Sequence, residues 1–132
     1  MAVSERAVQA RWTGGLRAVV QAGDFELVAD EPESIGGTNT GPRPTELLLA
    51  SIASCFTLSL AYSARKRDLE LADVEVDVTG RLDGPRFVSF RIEVRASSPT
   101  GDELAKLAES AKRVCYVTRT LAAGPEIEVV TG

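Results

Sequence analysis

Apolar and polar positions divide this chain into short alternating runs, one long apolar run, and Gly/Pro-rich breaks. Residues 7–12 (AVQARW), 16–22 (LRAVVQA) and 25–29 (FELVA) read as three strands. Gly14-Gly15 and Gly23-Asp24 punctuate them as hairpin turns, which predicts a meander. Residues 30–44, rich in Gly, Pro, Asn and Thr, read as a loop. A helix is expected from Pro44 or Thr45 to about Arg67. Proline suits its first turn, Glu46 the positive end of its dipole, and Arg65, Lys66 and Arg67 the negative end. Val74, Val76 and Val78 alternate with Glu75, Asp77 and Thr79. Val88, Phe90, Ile92 and Val94 alternate with Ser89, Arg91, Glu93 and Arg95. Two antiparallel strands with one core face each are predicted, joined at Asp83-Gly84-Pro85. Thr100 and Glu103 have capping-box spacing ahead of Leu104, Leu107, Ala108 and Ala111. Cys115 closes that helix, and a short further helix is expected through Leu121. Gly124-Pro125 stops it, and Ile127 to Val130 reads as a last strand. The order βββ-α-ββ-α-(α)-β describes a single α+β domain over residues 1–132.

The long run is the unusual element. From Leu47 to Ala64, thirteen of eighteen residues are apolar, on every side of the predicted helix. Such a helix is either buried all round or crosses a membrane. Five of the eighteen are Ser or Thr and the length is at the lower limit, which favours a core helix. One small domain seldom covers a helix completely, so a homodimer with paired central helices is expected. Ala50, Ser51, Ala53, Ser54 and Ser59 allow close approach.

Net charge is −4 and the pI about 4.9, which gives no electrostatic case for nucleic acid. Histidine is absent, which removes Ser-His and Cys-His catalysis and most zinc chemistry. Met1 to Arg6 have no basic start or apolar core of a signal peptide, so a cytoplasmic, reducing location is expected. There, a pair of cysteines serves catalysis, sensing or metal binding more often than architecture. Cys55 lies mid-helix and Cys115 beside a different helix. Each has an inert reading, because free cysteine packs as a small hydrophobe. The reactive reading draws on Arg17, Arg43 and Arg119, any of which could stabilise a thiolate. The Gly36-Gly37-Thr38-Asn39-Thr40-Gly41 loop lacks the Lys-Ser/Thr of a phosphate loop and reads as a loop or pocket rim.

Pro44-Thr45-Glu46-Leu47 through Cys55, after a Gly-rich loop, resembles the central-helix signature of the OsmC/Ohr family of organic hydroperoxide peroxidases. Cys115-Tyr116-Val117-Thr118 is similar to that family's second motif. The resemblance implies antiparallel sheets wrapped around the central helix of an intertwined homodimer. It implies a peroxidatic Cys55, a resolving Cys115 and an activating arginine, mapped to Arg17. No metal or organic cofactor is implied. Leu47, Leu48, Ile52 and Phe56 become candidate pocket residues, with plain core packing as their alternative. Many members place a glutamate directly after the helix-opening proline; here Thr45 stands there and the acid is Glu46. Tyr116 stands where proline is frequent. Glu46 precedes Cys55 by nine residues, about 13.5 Å and about 180° along a regular helix, so it has no contact with that thiol in its own helix. Its alternatives are a cap and a site role.

The expected chemistry is attack by the Cys55 thiolate on the distal oxygen of an organic hydroperoxide. The sulfenic acid then condenses with Cys115 to a disulfide, which an external dithiol reduces, for instance one on a lipoyl-bearing protein. The competing expectation is a dimeric redox-sensing or small-ligand-binding module without peroxidase turnover.

Overall fold

The computed structural model describes residues 3–132; Met1 and Ala2, the start of the segment read as lacking a leader, lie outside the described residues. The chain forms two compact units, Met1–Leu48 and Leu49–Gly132.

The first unit is the meander. Strands β1 (Gln9–Trp12), β2 (Ala18–Ala22) and β3 (Phe25–Ala29) pair antiparallel in the order β1-β2-β3. The turn glycines Gly14, Gly15 and Gly23 all have positive φ, the conformation their hairpins need. Asp30 then opens the loop and becomes its centre. Its Oδ1 accepts from the amides of Glu31 (2.7 Å) and Thr38 (3.1 Å). Its Oδ2 accepts from the Thr40 amide (3.0 Å) and from the hydroxyls of Thr38 (2.5 Å) and Thr40 (2.6 Å). Only 1% of Asp30 is exposed, yet what covers it is its own loop. The Thr38 and Thr40 hydroxyls are the main cause of a carboxyl pKa far below the usual range, and desolvation opposes them. Two loop glycines are present for space. A Cβ on Gly37 would sit 1.9 Å from the Glu31 carbonyl oxygen, and one on Gly41 2.4 Å from that of Val28.

Helix α1 (Pro44–Lys66) starts and ends within a residue of the expectation. Its N-terminus is closed by Glu46, whose Oε1 accepts from the Arg43 amide at 3.0 Å, the return half of a capping box.

The second unit carries the rest of α1. Strands β4 (Glu75–Asp83) and β5 (Arg86–Arg95) form a two-stranded antiparallel sheet. Val74, Val76 and Val78 are half-buried between exposed neighbours, as the alternation predicts. Val88 departs from its predicted place. Arg81 pairs with Ser89 but Leu82 with Phe87, so Val88 is the extra residue of a bulge and turns outward, 43% exposed. Phe87 takes the inner position and stacks on Phe90, with ring centroids 5.1 Å apart. Helices α2 (Gly101–Val114) and α3 (Tyr116–Ala123) follow. Thr100 is the N-cap residue of α2, but its side chain makes no capping bond, contrary to the capping-box reading. Gly101, the first helical residue, has φ +60°, outside the helical geometry that brings an N-cap hydroxyl over the first turn. Gly124 ends α3 in the left-handed conformation.

The predicted last strand does not form. Ile127, Val129 and Val130 are 86%, 85% and 79% exposed and pair with no strand among the described residues. The alternating pattern is real, but no sheet edge among the described residues takes it up. The core joins Phe56, Leu60 and Ala64 of α1 to Leu107 and Ala111 of α2 and to Cys115, with Val76, Ile92 and Val94 packed against them. The opposite stripe of α1, including Ala50, Ser51, Ser54, Leu58 and Tyr62, is bare.

Two stability outcomes follow from these contacts. Leu107 is fully buried, so Leu107→Ala lowers unfolding free energy by about 2–5 kcal/mol in a denaturant titration. Asp30 has a depressed folded-state pKa, so its contribution is complete above the unfolded aspartate value of about 4 and is lost as pH falls below it. Asp30→Asn is therefore less stable than wild type at pH 7, and the gap narrows in titrations run progressively below about pH 4.

Candidate functional site

The two thiols share one core cluster. Cys55 sits on the half-buried side of α1 and packs against the core cluster that contains Cys115. Both are free thiols, and the Cys55 side chain is among the groups that favour the Cys115 thiolate. Helical spacing explains the placement. Cys55 lies between Ile52, Phe56 and Ser59, which face inward, so the thiol stands at the margin of the buried face and is only partly covered. Ser59 returns its hydroxyl to the Cys55 carbonyl at 2.8 Å, which keeps that polar side chain within its own helix.

Cys115 is the N-cap residue of α3 and is fully buried. Its backbone is extended (φ −76°, ψ 108°), so α2 ends and α3 begins around this residue. Burial is the largest single influence on the thiol and raises its pKa. The Thr118 hydroxyl, the Thr118 amide, the Cys55 side chain and the Val117 amide together outweigh it and hold the thiol below its ordinary value. None of the amides completes a full capping hydrogen bond; they act as oriented dipoles at a helix N-terminus. The Thr118 hydroxyl also lies 3.4 Å from the Cys115 carbonyl oxygen.

The other candidate residues divide. Arg119 donates Nη1 to the Arg113 carbonyl at 3.2 Å, so it satisfies the end of α2. Arg43 donates Nε to Glu31 at 2.7 Å in an ion pair of the first unit. Arg17, also in the first unit, is held by two threonines: Nε donates to Thr40 Oγ1 and Nη1 to Thr13 Oγ1, both at 3.0 Å. Glu46 is engaged as the cap of α1. Of the pocket candidates, Leu48 is half-buried and Ile52 is fully buried. Phe56 belongs to the core and also lines a cavity of about 270 Å³ with Phe90, Ile92, Ala108 and Thr118.

Sequence reasoning assigned no role to Asp30. Its signal was an acid opening a loop that closes with Thr38-Asn39-Thr40, a Thr-x-Thr spacing that can turn two hydroxyls to one side.

The family model described as OsmC-like protein matches residues 37–130. An uncharacterized protein of Haloferax volcanii is 32% identical over 107 residues, 78% of this chain and 76% of that one. The crystal structure of an OsmC-like protein from Mycoplasma pneumoniae is similar with a TM-score of 0.77 at 17% identity, covering 90% of this chain and 88% of its own. An organic hydroperoxide resistance protein OsmC from Legionella pneumophila gives 0.68 at 22% identity, covering 92% and 91%. At these identities the two structures establish a shared fold.

The geometry around Cys115 makes Thr118 the side chain that most favours its thiolate. In a Cys55→Ser background, where Cys115 is the sole thiol, Thr118→Val raises the midpoint of the thiolate absorbance titration. An unchanged midpoint would assign the effect to the amides alone.

Proposed function

The chain belongs to the OsmC-like family, and on that footing we propose that it is a thiol peroxidase reducing organic hydroperoxides to alcohols. One observation carries the reading: a partly exposed thiol packs against the cluster that holds a fully buried one, whose ionisation is favoured by fixed dipoles. Burial supports the assignment of roles. A hydroperoxide can reach Cys55, whereas Cys115 is closed to it.

The Cys55 thiolate attacks the distal oxygen, the O–O bond breaks, and the alkoxide takes a proton and leaves as alcohol. Cys55 is then a sulfenic acid. The Cys115 thiolate attacks the Cys55 sulfur, an S–S bond forms, and hydroxide leaves to become water. The lowered Cys115 pKa favours its thiolate and so lessens the need for a general base, which suits a chain without histidine. An external dithiol, carried for instance by a lipoyl-bearing protein, returns both thiols and leaves as its own cyclic disulfide. Its thiolate attacks the partly exposed Cys55 sulfur, and the lowered pKa of Cys115 makes that sulfur a good leaving group. Phe56 is assigned as a contact for the alkyl group in the cavity it lines. Glu46 serves through the cap it provides to α1.

A homodimer completes this reading. Its support is the bare apolar stripe of α1, with Leu58 69% and Tyr62 43% exposed, and the unpaired segment Ile127 to Val130. A two-stranded sheet is marginal by itself and gains from an added strand.

The deciding measurement is consumption of cumene hydroperoxide with dihydrolipoamide. Wild type turns over. Cys55→Ser loses activity by at least about a thousandfold, the scale of removing a nucleophile. Cys115→Ser reacts once and stops. Reversible disulfide formation in wild type without sustained consumption would instead make the protein a redox sensor, and wild-type rates in Cys55→Ser would sink both.

A further inference from the structure

Three cations converge where the end of α1 meets α2, and the chemistry above uses none of them. Lys106, Ser110 and Arg113 are spaced by four and three residues along α2, which puts them on one stripe of that helix. Arg67, directly after α1, reaches the same stripe. Arg67 Nη2 donates to the Ser110 hydroxyl oxygen, and Arg113 Nη2 donates to that same oxygen at 3.2 Å. The Ser110 proton goes to the Lys106 carbonyl at 3.2 Å. The hydroxyl is thus fully used: its proton is given to its own helix, and its two lone pairs face two guanidinium groups. Ser110 is only 8% exposed, whereas Arg67, Lys106 and Arg113 are open to solvent.

One guanidinium would be enough to tie the end of α1 to α2. The second brings a like charge beside the first, which is unfavourable unless a negative group stands near both. The ion pairs formed among the described residues include none of Arg67, Lys106 and Arg113. An open cavity of about 330 Å³ is lined by these three with Ala105 and Glu109. Glu109 is absent from those ion pairs as well. Three positive side chains and one carboxylate around the cavity leave an excess of two positive charges, in a chain whose net charge is −4.

That excess matches a dianion. Each guanidinium spends one N–H on Ser110 and keeps further donors of its planar fork, the geometry that suits phosphate oxygens. The shared hydroxyl holds both forks in place before an anion arrives, which lowers the ordering cost of binding. The cavity is at the lower end of the range for small-molecule pockets, about 300–1,000 Å³.

We propose that Arg67 and Arg113, held by Ser110 and joined by Lys106, form a binding site for a phosphate dianion, either free or as the head of a small phosphomonoester. The site lies wholly within the second unit and is independent of the peroxidase reading.

The test is an NMR titration of the full chain at fixed ionic strength, following the Ser110 amide and the Arg67 and Arg113 Nε–H resonances. The probes are inorganic phosphate, glycerol 3-phosphate, acetate and chloride. Both phosphates move these resonances to saturation, and acetate binds at least about tenfold more weakly, the scale of one hydrogen bond to a charged group. The tighter of the two phosphates tells whether the free ion or the ester is the ligand, and either result supports the site. Arg67→Gln and Arg113→Gln each weaken phosphate binding by about tenfold or more. Arg113→Lys keeps the charge, loses the fork and also weakens it. If one variant does not fold, the remaining ones carry the same expectation. Shifts that do not saturate, or that chloride reproduces, reflect screening alone and overturn the proposal. Acetate binding as tightly as phosphate overturns it too, and so does undiminished phosphate binding in Arg67→Gln and Arg113→Gln. Peroxide consumption is not a readout here, so either reading can fail while the other stands.

Discussion

The packing of one face of α1 on α2 is the constraint from which the second unit follows. Phe56, Leu60 and Ala64 recur at intervals of four, the spacing that keeps them on one side of the helix, and they meet Leu107 and Ala111. Cys55 directly precedes the first of these residues, and Cys115 follows the last α2 contact by four positions. Once the two helices pack, both cysteines fall at the same core cluster. The hydrophobic contact does the aligning, and the chemistry depends on it.

Much of this was legible beforehand because it depends on local rules. Proline at the first helical turn and a basic cluster at the last bounded α1 almost to the residue. The three hairpin strands were marked by glycines whose positive φ values the turns require. What escaped depended on partners distant in sequence. The bulge at Val88 arises from pairing with Arg81 and Leu82, so alternation along β5 alone gave it the wrong face. The capping box at Thr100 met the spacing rule but not the backbone angles, since Gly101 enters its helix with positive φ. Ile127 to Val130 has a strand's alternation and no edge to join among the described residues.

The candidate site shows the same division. Both cysteines were identifiable from motif and position, but their common cluster and the role of Thr118 required the fold. Asp30 was invisible as anything but a loop acid, because five hydrogen bonds from residues up to ten positions away make it what it is. Arg17, Arg43 and Arg119 looked equivalent in the sequence. The structure gives one to a carbonyl, one to a carboxylate and one to two hydroxyls, so of the three Arg43 alone has a counterion among the described residues.

The placement of Cys115 at the start of α3 has a consequence for how the protein meets changing acidity. A histidine that activated this sulfur would itself gain and lose a proton near neutrality, and its help would come and go with the surroundings. Peptide dipoles and a threonine hydroxyl do not titrate in that range. The sulfur's readiness is thus written into backbone geometry, and it persists for as long as the helix does.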